Sequence, residues 1–395
     1  MKAIVIGAGV GGLAAALALK AHGVAVQILE QAPEIREVGA GLQISPNGLA
    51  VLRALGVEAG LARIAVRGQA TVLRDYRRTA EVLRMDLTGA ASPGRFYYVH
   101  RADLIDLLAR AVRAEGVQIS LLQEVAKVTP GTSPRLHMAN GADMTADLII
   151  GADGLHSAVR HALNGEDAPV FTGQVAWRAL VPSDGSWPDE AHVQMGPGRH
   201  MVTYPLRGGQ LINIVAVQER RAWVAEGWSH QDDPDNLRAA FADFGGRAAK
   251  LLPQVTDAGL WGLFRHPVAK VWQRDNVALM GDAAHPTLPF LAQGANLALE
   301  DAWVLAACLG SGRDDPAAAL ARYQNARRDR AVRVIEAANG NAWKFHLQSP
   351  LLRNAAQLGL RLVDRVAPDR MLRGFDWLYR LDVTAGGPRE LYHPP

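Results

Sequence analysis

The sequence predicts an α/β protein in which a doubly wound domain of parallel strands is interrupted by a mostly antiparallel sheet and followed by C-terminal helices. The chain opens with a strand, a glycine-rich turn, a helix and a second strand within its first 30 residues. Two later predicted strands, Ala146 to Ile150 and Val277 to Met280, also end in turns that carry glycine and aspartate. Between them, residues 172–217 change to short alternating strands, which is typical of an antiparallel sheet.

Apolar periodicity defines the first element pair. The run from Ala3 to Ile6 predicts a buried strand, because four consecutive apolar residues precede a turn. Leu13 to Ala21 is rich in alanine and leucine and predicts a helix, and Ala25 to Leu29 predicts the second strand. This strand–turn–helix–strand order is the setting in which a dinucleotide-binding turn is meaningful.

The turn itself indicates a dinucleotide site. Gly7, Gly9 and Gly12 have the G-x-G-x-x-G spacing. The first allows a tight turn, the second lets a pyrophosphate approach the backbone, and the third lets helix and strand pack closely. Glu30 ends the second strand, where a carboxylate binds an adenosine ribose and disfavours a 2′-phosphate, so FAD or NAD is expected rather than NADP. A glycine-rich turn that binds nothing is the alternative, which the strand, helix and acid together disfavour.

Further elements follow from helical or alternating periodicity and from the turn residues between them. Helices are predicted at 47–55, 101–115, 237–252, 294–309, 316–345 and 351–365. Strands are predicted at 117–122, 124–128, 175–181, 192–195, 200–204 and 211–217, with β-like alternation at 69–85. We therefore predict a discontinuous nucleotide-binding domain at 1–171 and 265–345, an inserted β-sheet module at 172–264, and a C-terminal helical segment and tail at 346–395.

Composition narrows the classes of partner. At 395 residues, with 49 % apolar and 21 % charged residues, the chain suits a globular protein of about two domains. The net charge of +3 and the lack of a dense Lys/Arg block argue against nucleic acid. The single Cys308 excludes an internal disulfide or thiolate metal cluster and suits the cytoplasm. Met1 runs directly into a core strand, which predicts no signal peptide, and no apolar run reaches the roughly 18–20 residues of a membrane span. We expect a monomer or homodimer without a metal.

Two acids mark the later strand ends. Asp153 follows one predicted strand, and Asp282 follows another in front of an alanine-rich stretch. Ligands of doubly wound sheets bind at the carboxyl ends of the strands, and the position of Asp282 suits a ribityl hydroxyl of a flavin. Either acid alone would more often cap a helix. Together with the first glycine turn, the two favour a cofactor site.

In combination these motifs resemble the flavoprotein monooxygenases that hydroxylate aromatic rings, the family of p-hydroxybenzoate hydroxylase. The resemblance covers residue 1 to about 305 and is carried by the glycine turn and three further motifs: His100-Arg101 before Asp103-Leu104, Gly151-Ala152-Asp153-Gly154-x-x-Ser157-x-x-Arg160, and Gly281-Asp282-Ala283-Ala284-His285-Pro286. It implies a Rossmann-like FAD-binding domain of the p-hydroxybenzoate hydroxylase fold. It also implies one FAD per chain, with NAD(P)H visiting only transiently.

The same resemblance implies the FAD contacts. Arg101 contacts FAD, Asp153 serves both FAD and NAD(P)H, and Asp282 binds the flavin ribose moiety. The backbone at Gly294-Ala295-Asn296, a predicted helix start, faces the pyrimidine ring of the flavin and stabilises its developing negative charge. The predicted cofactor-binding set is Gly7, Gly9, Gly11, Gly12, Glu30, Gln31, Gln43, Arg101, Val125, Asp153, Asp282, Gly294, Ala295 and Asn296.

Within the family, the chain is most similar to the branch of 3-hydroxybenzoate 6-hydroxylase, salicylate hydroxylase and 6-hydroxynicotinate 3-monooxygenase. The residues that carry this are Gly39-Ala40-Gly41-Leu42-Gln43, His200-x-x-x-Tyr204-Pro205-Leu206-Arg207-Gly208-Gly209, Leu291-Ala292-Gln293-Gly294-Ala295 and Glu300-Asp301-Ala302. In that branch the His and Tyr face the substrate ring, so His200 and Tyr204 are the predicted catalytic residues. Their spacing of four puts both on one face of a strand, and a histidine near neutrality suits deprotonation of a phenol. Without the resemblance, a surface His and a core Tyr would be the better interpretation.

The chain departs from the branch at the substrate end. Pro289 and Phe290 stand where those relatives carry a Gln or His that touches substrate, and Gln43 replaces a His of the pyridine-hydroxylating relative. The predicted substrate contacts are therefore Gln43, His200, Tyr204, Pro289 and Phe290, and the identity of the ring stays open. His285 is predicted to be structural, beneath the flavin.

The function that the resemblance implies is an FAD-dependent monooxygenase that uses NADH and O2, through a C4a-hydroperoxyflavin, on a small aromatic substrate. That substrate is hydroxybenzoate-, salicylate- or hydroxypyridine-like. The preference for NADH over NADPH rests on the branch alone. Two other classes stay open: another flavin oxidoreductase, either a reductase or halogenase-like, and a non-catalytic flavin-binding protein. A W-x-W-x-I-P halogenase signature is absent, because Trp177 lies in Val-Ala-Trp-Arg-Ala-Leu-Val-Pro.

Overall fold

A computed structural model describes residues 1–35, 41–220, 230–342 and 345–386. The strands among these residues are β1 Lys2–Ile6, β2 Ala25–Leu29, β3 Gly41–Ile44, β4 Val66–Gly68, β5 Ala70–Asp75, β6 Glu81–Asp86, β7 Phe96–His100, β8 Gln118–Ser120, β9 Val125–Thr129, β10 Arg135–Met138, β11 Asp143–Thr145, β12 Leu148–Gly151, β13 Val170–Pro182, β14 Glu190–Gly196, β15 Arg199–Leu206, β16 Leu211–Glu219, β17 Gln231–Asp232, β18 Ala258–Arg265, β19 Gln273–Arg274 and β20 Val277–Leu279.

The α-helices among the same residues are α1 Val10–Ala21, α2 Pro46–Ala54, α3 Glu58–Ile64, α4 Arg101–Ala114, α5 Ala158–Asn164, α6 Pro234–Ala240, α7 Gly246–Leu251, α8 Gly294–Gly310, α9 Pro316–Ala342, α10 Pro350–Val366, α11 Asp369–Arg373 and α12 Asp376–Tyr379. None of these described helices is both long and apolar enough to cross a bilayer.

The first sheet has the order β19-β20-β12-β1-β2-β8 and is parallel except for β19. Its central strand β1 lies between β12 and β2 and is buried from Ala3 onwards, and α1 packs against β1 and β2. Four alanines of α1 are buried and let it pack closely against α8: Ala14, Ala15, Ala16 and Ala18. Ile6 pairs with Gly151, and Gly151 pairs with Leu279, so the carboxyl ends of β1, β12 and β20 lie side by side. The three predicted strand-end turns are thereby brought together, which confirms the predicted doubly wound fold.

The second sheet has eight strands in the order β17-β18-β13-β16-β15-β14-β5-β6, and only β14 and β5 pair in parallel. One face packs on α6 and α7 through a cluster that contains Trp177, Phe241 and Phe244. The predicted antiparallel module is thus the greater part of this sheet. The sheet also includes β5 and β6, from residues 70–86, since β5 pairs with β14. The domain boundaries themselves stay a prediction.

Several predicted elements differ from the observed ones. The single helix predicted at 237–252 is two helices, α6 and α7, separated by Phe241–Gly245. Gly246 has a φ of +60°, and a Cβ on Gly245 would lie 2.3 Å from the Arg77 carbonyl oxygen, so the chain turns sharply there. The long helix predicted to reach residue 345 is described as far as Ala342, and residues 343–344 lie outside the described residues. The stretch 36–40, which includes Gly39 and Ala40 of the branch motif, and the tail from residue 387 lie outside the described residues.

Candidate active site

A large cavity lies where the two sheets meet. Its volume is about 1390 Å³, and it is bounded by the carboxyl ends of β1, β12 and β20 on one side and by β13, β15 and β16 on the other. Sites for single drug-sized ligands occupy roughly 300–1,000 Å³. The cavity therefore has room for a dinucleotide and a small molecule together.

The glycine turn forms one end of this cavity. Gly7 has a φ of +102°, and a Cβ on Gly12 would lie 2.0 Å from the Gly7 carbonyl oxygen, so both positions require glycine for the turn to close. A Cβ on Gly9 would meet no described protein atom within 4 Å. Gly7, Gly9 and Gly11 line the cavity, whereas Gly12 packs behind the turn. The space beside Gly9 and the start of α1 is what a pyrophosphate needs.

Glu30 is held in place by backbone hydrogen bonds. Its carboxylate accepts the N–H of Ala8 at 2.7 Å and the N–H of Ala32 at 2.9 Å. These bonds orient the carboxylate at the edge of the cavity, next to Gln31 and Val125, which also line it. An adenosine ribose lying here would find the acceptor that the sequence predicts.

The two acids at the strand ends both line the cavity, and one of them also accepts a hydrogen bond from a helix start. Asp153 accepts the hydroxyl of Ser157 at 2.5 Å and the N–H of Val159 at 3.4 Å, at the start of α5. Asp282 faces the cavity close to the start of α8, because a Cβ on Gly294 would lie 3.9 Å from its Oδ1. Burial raises the pKa of both carboxyls.

The cavity is also lined by Arg101, Gln43, Gly294 and Ala295, whose contact with FAD stays a prediction. Asn296 does not line it. Its buried side chain accepts the N–H of Ser45 at 3.0 Å and donates to the carbonyl of Gln43 at 3.0 Å. It therefore connects β3 to α8. Its side chain can affect a bound cofactor only through the backbone that it holds in place.

A buried ionic network supports this edge from behind. Arg327 binds Glu300 at 2.7 Å and Asp301 at 2.8 Å, and Arg330 binds Glu300 at 2.6 Å. Burial alone would raise the pKa of Asp301, but His285 and Arg327 together lower it. His285 binds Asp301 and packs on Trp272 with ring centroids 5.1 Å apart, in agreement with its predicted structural role. The network fixes the turn at Gly281, whose N–H donates to Asp301.

Tyr204 lies on the opposite wall, on β15. Its ring is buried against Tyr98, with centroids 5.2 Å apart, and a Cβ on Gly41 would lie 2.7 Å from the Tyr204 hydroxyl. Burial raises the pKa of Tyr204, and the nearby positive charge of Arg178 only partly opposes this. Tyr204 therefore keeps its proton at neutral pH and can donate a hydrogen bond.

His200 lies four residues earlier on the same strand and also lines the cavity. Its ring is 2 % exposed and packs near Phe290 and Phe345, with centroids 5.9 and 5.3 Å away. Its Nδ1 lies 2.7 Å from Nε2 of His346. Burial, followed by the charge of His346, holds the pKa of His200 well below 6.5, so its ring is neutral at physiological pH.

The predicted substrate contacts are thus brought together, since Gln43, His200, Tyr204, Pro289 and Phe290 all line one cavity. Two other cavity residues were not predicted, Arg178 on β13 and Phe345 in the C-terminal segment, nor was His346, which contacts His200 from behind the cavity wall. Nothing local in the sequence marks His346, because its contact with His200 joins residues 146 positions apart. Arg178 stands in Val-Ala-Trp-Arg-Ala-Leu-Val-Pro, a stretch without a motif that marks a substrate contact.

The residues present fit FAD. Gly9 leaves the backbone of a helix start open, Glu30 supplies an oriented carboxylate, and Asp282 faces the cavity between them and β15. Gly9, Glu30 and Asp282 would hold a dinucleotide on the side of the cavity opposite the wall that carries His200 and Tyr204. Fold and cavity together indicate an FAD-binding protein.

Comparison with known proteins agrees. Residues 1–338 match the FAD binding domain family, and the chain belongs to that family. It is 36 % identical to the 3-amino-4-hydroxybenzoate 2-monooxygenase of Streptomyces cremeus over 88 % of each chain. It is 33 % identical to the 3-hydroxybenzoate 6-hydroxylase of Klebsiella oxytoca over 96 % of each chain. A solved salicylate hydroxylase substrate complex superimposes with a TM-score of 0.82 at 26 % identity, covering 100 % of this chain and 98 % of that one.

Proposed function

We propose that this flavoprotein monooxygenase hydroxylates a small aromatic acid that carries a phenolic hydroxyl, with NADH and O2 as co-substrates. The observation that supports this most directly is the placement of His200 and Tyr204 on one face of β15, at the wall opposite the predicted FAD contacts. The names of the relatives point the same way, because each acts on a hydroxylated benzoate.

When bound, FAD accepts a hydride from NADH and supplies the activated oxygen atom for the ring. The residues that would hold it line one side of the cavity: Gly9, Glu30, Asp153 and Asp282, together with the backbone at the start of α8. The remaining work falls to residues that bind the ring, exclude water and move a proton.

His200 is the base in this proposal. Its Nδ1 is engaged by His346, which leaves Nε2 for a ligand in the cavity. A phenol becomes more reactive at its ring carbons when it loses its proton, and a neutral imidazole is able to take that proton. Phe290 and Phe345 beside the imidazole keep water away from the reacting ring.

Arg178 and Tyr204 bind the substrate in this proposal. Arg178 lies at the cavity wall over Trp261, 4.9 Å from the ring centroid, and its charge acts on Tyr204. A guanidinium in this position suits the carboxylate of an aromatic acid. The protonated hydroxyl of Tyr204 then donates a hydrogen bond that orients the ring.

Three finer points complete the proposal. NADH is preferred over NADPH, the protein acts in the cytoplasm, and the chain is a monomer or a homodimer. The single, buried Cys308 supports the reducing compartment. A kcat/KM that favours NADPH by about tenfold, or 1.4 kcal/mol, would overturn the preference for NADH.

The test is a panel of hydroxybenzoates, aminohydroxybenzoates and hydroxypyridines given to the purified yellow protein. We expect at least one hydroxybenzoate to stimulate NADH consumption and to appear as a product with one added oxygen atom. The matched benzoates that lack the hydroxyl should not be hydroxylated. If no compound in the panel stimulates NADH consumption, a non-catalytic flavin-binding protein or another flavin oxidoreductase is the better interpretation.

A further inference from the structure

We propose that His346 and Glu219 form a proton relay that sets the tautomer of His200 and carries its proton from the cavity to the protein surface. Nδ1 of His200 lies 2.7 Å from Nε2 of His346, and Nδ1 of His346 lies 3.1 Å from Oε1 of Glu219. The inference rests on the proposed role of His200 as the base. The other two residues belong to the positioning of that base and do not themselves line the cavity.

The chemistry of the side chains determines which atom donates in each hydrogen bond of the relay. A carboxylate only accepts hydrogen bonds, so Nδ1 of His346 carries the proton that it donates to Glu219. In neutral His346, Nε2 is then the acceptor, and Nδ1 of His200 must donate to it. Nε2 of His200 is therefore left with a free lone pair, which is the form that a base in the cavity requires.

The relay also answers an energetic difficulty. Burial holds the pKa of His200 well below 6.5, so protonation of its ring is costly. Burial lowers the pKa of His346 too, but there the carboxylate of Glu219 opposes the effect. Among the described residues, Glu219 is the charged group that raises the pKa of His346. A positive charge therefore costs less free energy on His346 than on His200 itself.

The solvent exposure of the side chains increases along the relay from His346 to Glu219, as the release of a proton to water requires. The side chain of His346 is 1 % exposed, whereas that of Glu219 is 36 % exposed and also accepts a hydrogen bond from Gln348 at 2.8 Å. The backbone holds the pieces in register: Gly198 donates to the carbonyl of His346 and accepts from the N–H of Glu219. A buried base is thus linked to solvent through two side chains.

The proton transfers balance without any further reactant. The phenolic O–H bond breaks and its proton binds Nε2 of His200. The proton on Nδ1 of His200 passes to Nε2 of His346, and the proton on Nδ1 of His346 passes through Glu219 to water. The reverse order restores the starting tautomers when the product oxygen takes up a proton.

The relay is tested first without turnover, by long-range 1H–15N NMR spectra of the holoenzyme labelled with 15N-histidine. Signals are assigned from their loss in His200→Asn and His346→Gln. We expect both rings of the wild type to be neutral at pH 7 with the proton on Nδ1. In Glu219→Gln, we expect His200 to lose this single tautomer. A wild-type His200 that carries its proton on Nε2, or that averages between the two forms, overturns the relay.

The second readout is the pH profile of hydroxylation. Loss of a residue that fixes the tautomer of a catalytic histidine costs roughly 10- to 100-fold, and more where it pairs with the charged form. We expect Glu219→Gln and His346→Gln to lower kcat by about this factor with little change in KM, and to shift the acidic limb of the profile. Glu219→Asp keeps the carboxylate and should recover most of the rate, which a role in packing alone would not predict.

A matched control is provided by a second Glu–His pair on the same sheet. Glu190 accepts from His192 at 2.9 Å, and neither residue lines the cavity. Glu190→Gln should leave kcat and the pH profile of hydroxylation as in the wild type. If His200→Asn slows hydroxylation while His346→Gln and Glu219→Gln do not, the relay is wrong. If His200→Asn itself has no effect, the proposed base is wrong, and the tautomer measurement still reports on the relay contacts.

Discussion

The two walls of the cavity are built by different means. The wall at the carboxyl ends of β1, β12 and β20 is made of turns, in which Gly7, Gly9 and the start of α8 present backbone to the ligand. The wall on the second sheet is made of side chains that come from separate strands and from the C-terminal segment: Arg178, Tyr204, His200 and, behind it, His346. A wall of backbone suits a cofactor that many relatives share, whereas a wall of side chains can change with the substrate.

The largest expected effect is on FAD binding, and it distinguishes Gly9, which faces open space, from Gly12, which is closely packed. Gly9→Val places its side chain where no described atom lies within 4 Å, so the apoprotein should fold as the wild type does, yet bind FAD at least roughly 100-fold more weakly, about 2.7 kcal/mol. Gly12→Ala instead meets the Gly7 carbonyl at 2.0 Å and should lower the thermal stability of the apoprotein. Flavin absorbance and thermal unfolding measure the two effects. Full yellow colour in Gly9→Val contradicts the cofactor assignment.

The next effect concerns the side-chain wall. Arg178→Gln removes the cation proposed to bind the substrate carboxylate, and hydrogen bonds to charged groups contribute about 1.5–3 kcal/mol. We expect KM for the aromatic acid to rise roughly 10- to 100-fold, with no comparable change for a phenol that lacks the carboxylate. Arg220→Gln is the matched control, since Arg220 also stacks on a tryptophan, Trp177 at 5.8 Å, and does not line the cavity. Equal effects of both variants would argue against the assignment.

Stability should depend on pH in a way that reflects the second sheet. Burial lowers the pKa of His192 to about 4, and also lowers the pKa values of His200 and His346. Below pH 6.5 the unfolded chain gains these protons before the folded one does, so the free energy of unfolding falls as the pH falls toward 4. Each such histidine contributes roughly 1.4 kcal/mol per pH unit in that window.

Urea unfolding at pH 7 and pH 5.5 measures this loss, and His192→Gln isolates one contribution to it. The variant should lose less stability than the wild type between the two pH values. The raised pKa values of Asp153 and Asp282 act in the opposite direction at lower pH, because the folded state then binds those protons first. Identical pH dependence in variant and wild type would show that the His192 ring is not kept neutral by the fold.

The smallest expected effect is that of one hydroxyl group. Tyr204→Phe removes a neutral hydrogen bond, which typically contributes about 0.5–1.5 kcal/mol. KM for the aromatic acid should rise roughly two- to tenfold, with kcat nearly unchanged. Tyr98→Phe removes a hydroxyl that donates to the Ala70 carbonyl and should leave KM unchanged. A large fall in kcat for Tyr204→Phe would instead give Tyr204 a part in proton transfer.

The backbone wall could be predicted from the sequence, because each of its turns is a contiguous motif in which spacing determines geometry. Gly7 to Gly12, Asp153 and Asp282 could each be assigned without knowing their neighbours in space. Asn296 was predicted to face the cofactor through its backbone, which stays a prediction, whereas the bonds of its buried side chain to Ser45 and Gln43 could not be predicted, because they join distant parts of the sequence.

The side-chain wall could be predicted only in part. His200 and Tyr204 share one strand, so their spacing indicated a common face. Arg178 comes from another strand, and His346 comes from a segment that reaches β15 only through the packing of the C-terminal chain. The two-helix break at Gly245–Gly246 escaped prediction for the same reason, since the close approach of the Arg77 carbonyl is a long-range contact.

The central claim is that His200 is the base for hydroxylation in this cavity, and the product formed per NADH consumed tests it most directly. With a substrate found in the panel, the wild type should convert most NADH into hydroxylated product. His200→Asn should still bind FAD and consume NADH, but hydroxylation should fall by roughly 10²–10⁴-fold and hydrogen peroxide should account for the missing product. A variant that keeps the wild-type product rate and the wild-type ratio of product to NADH would contradict the account.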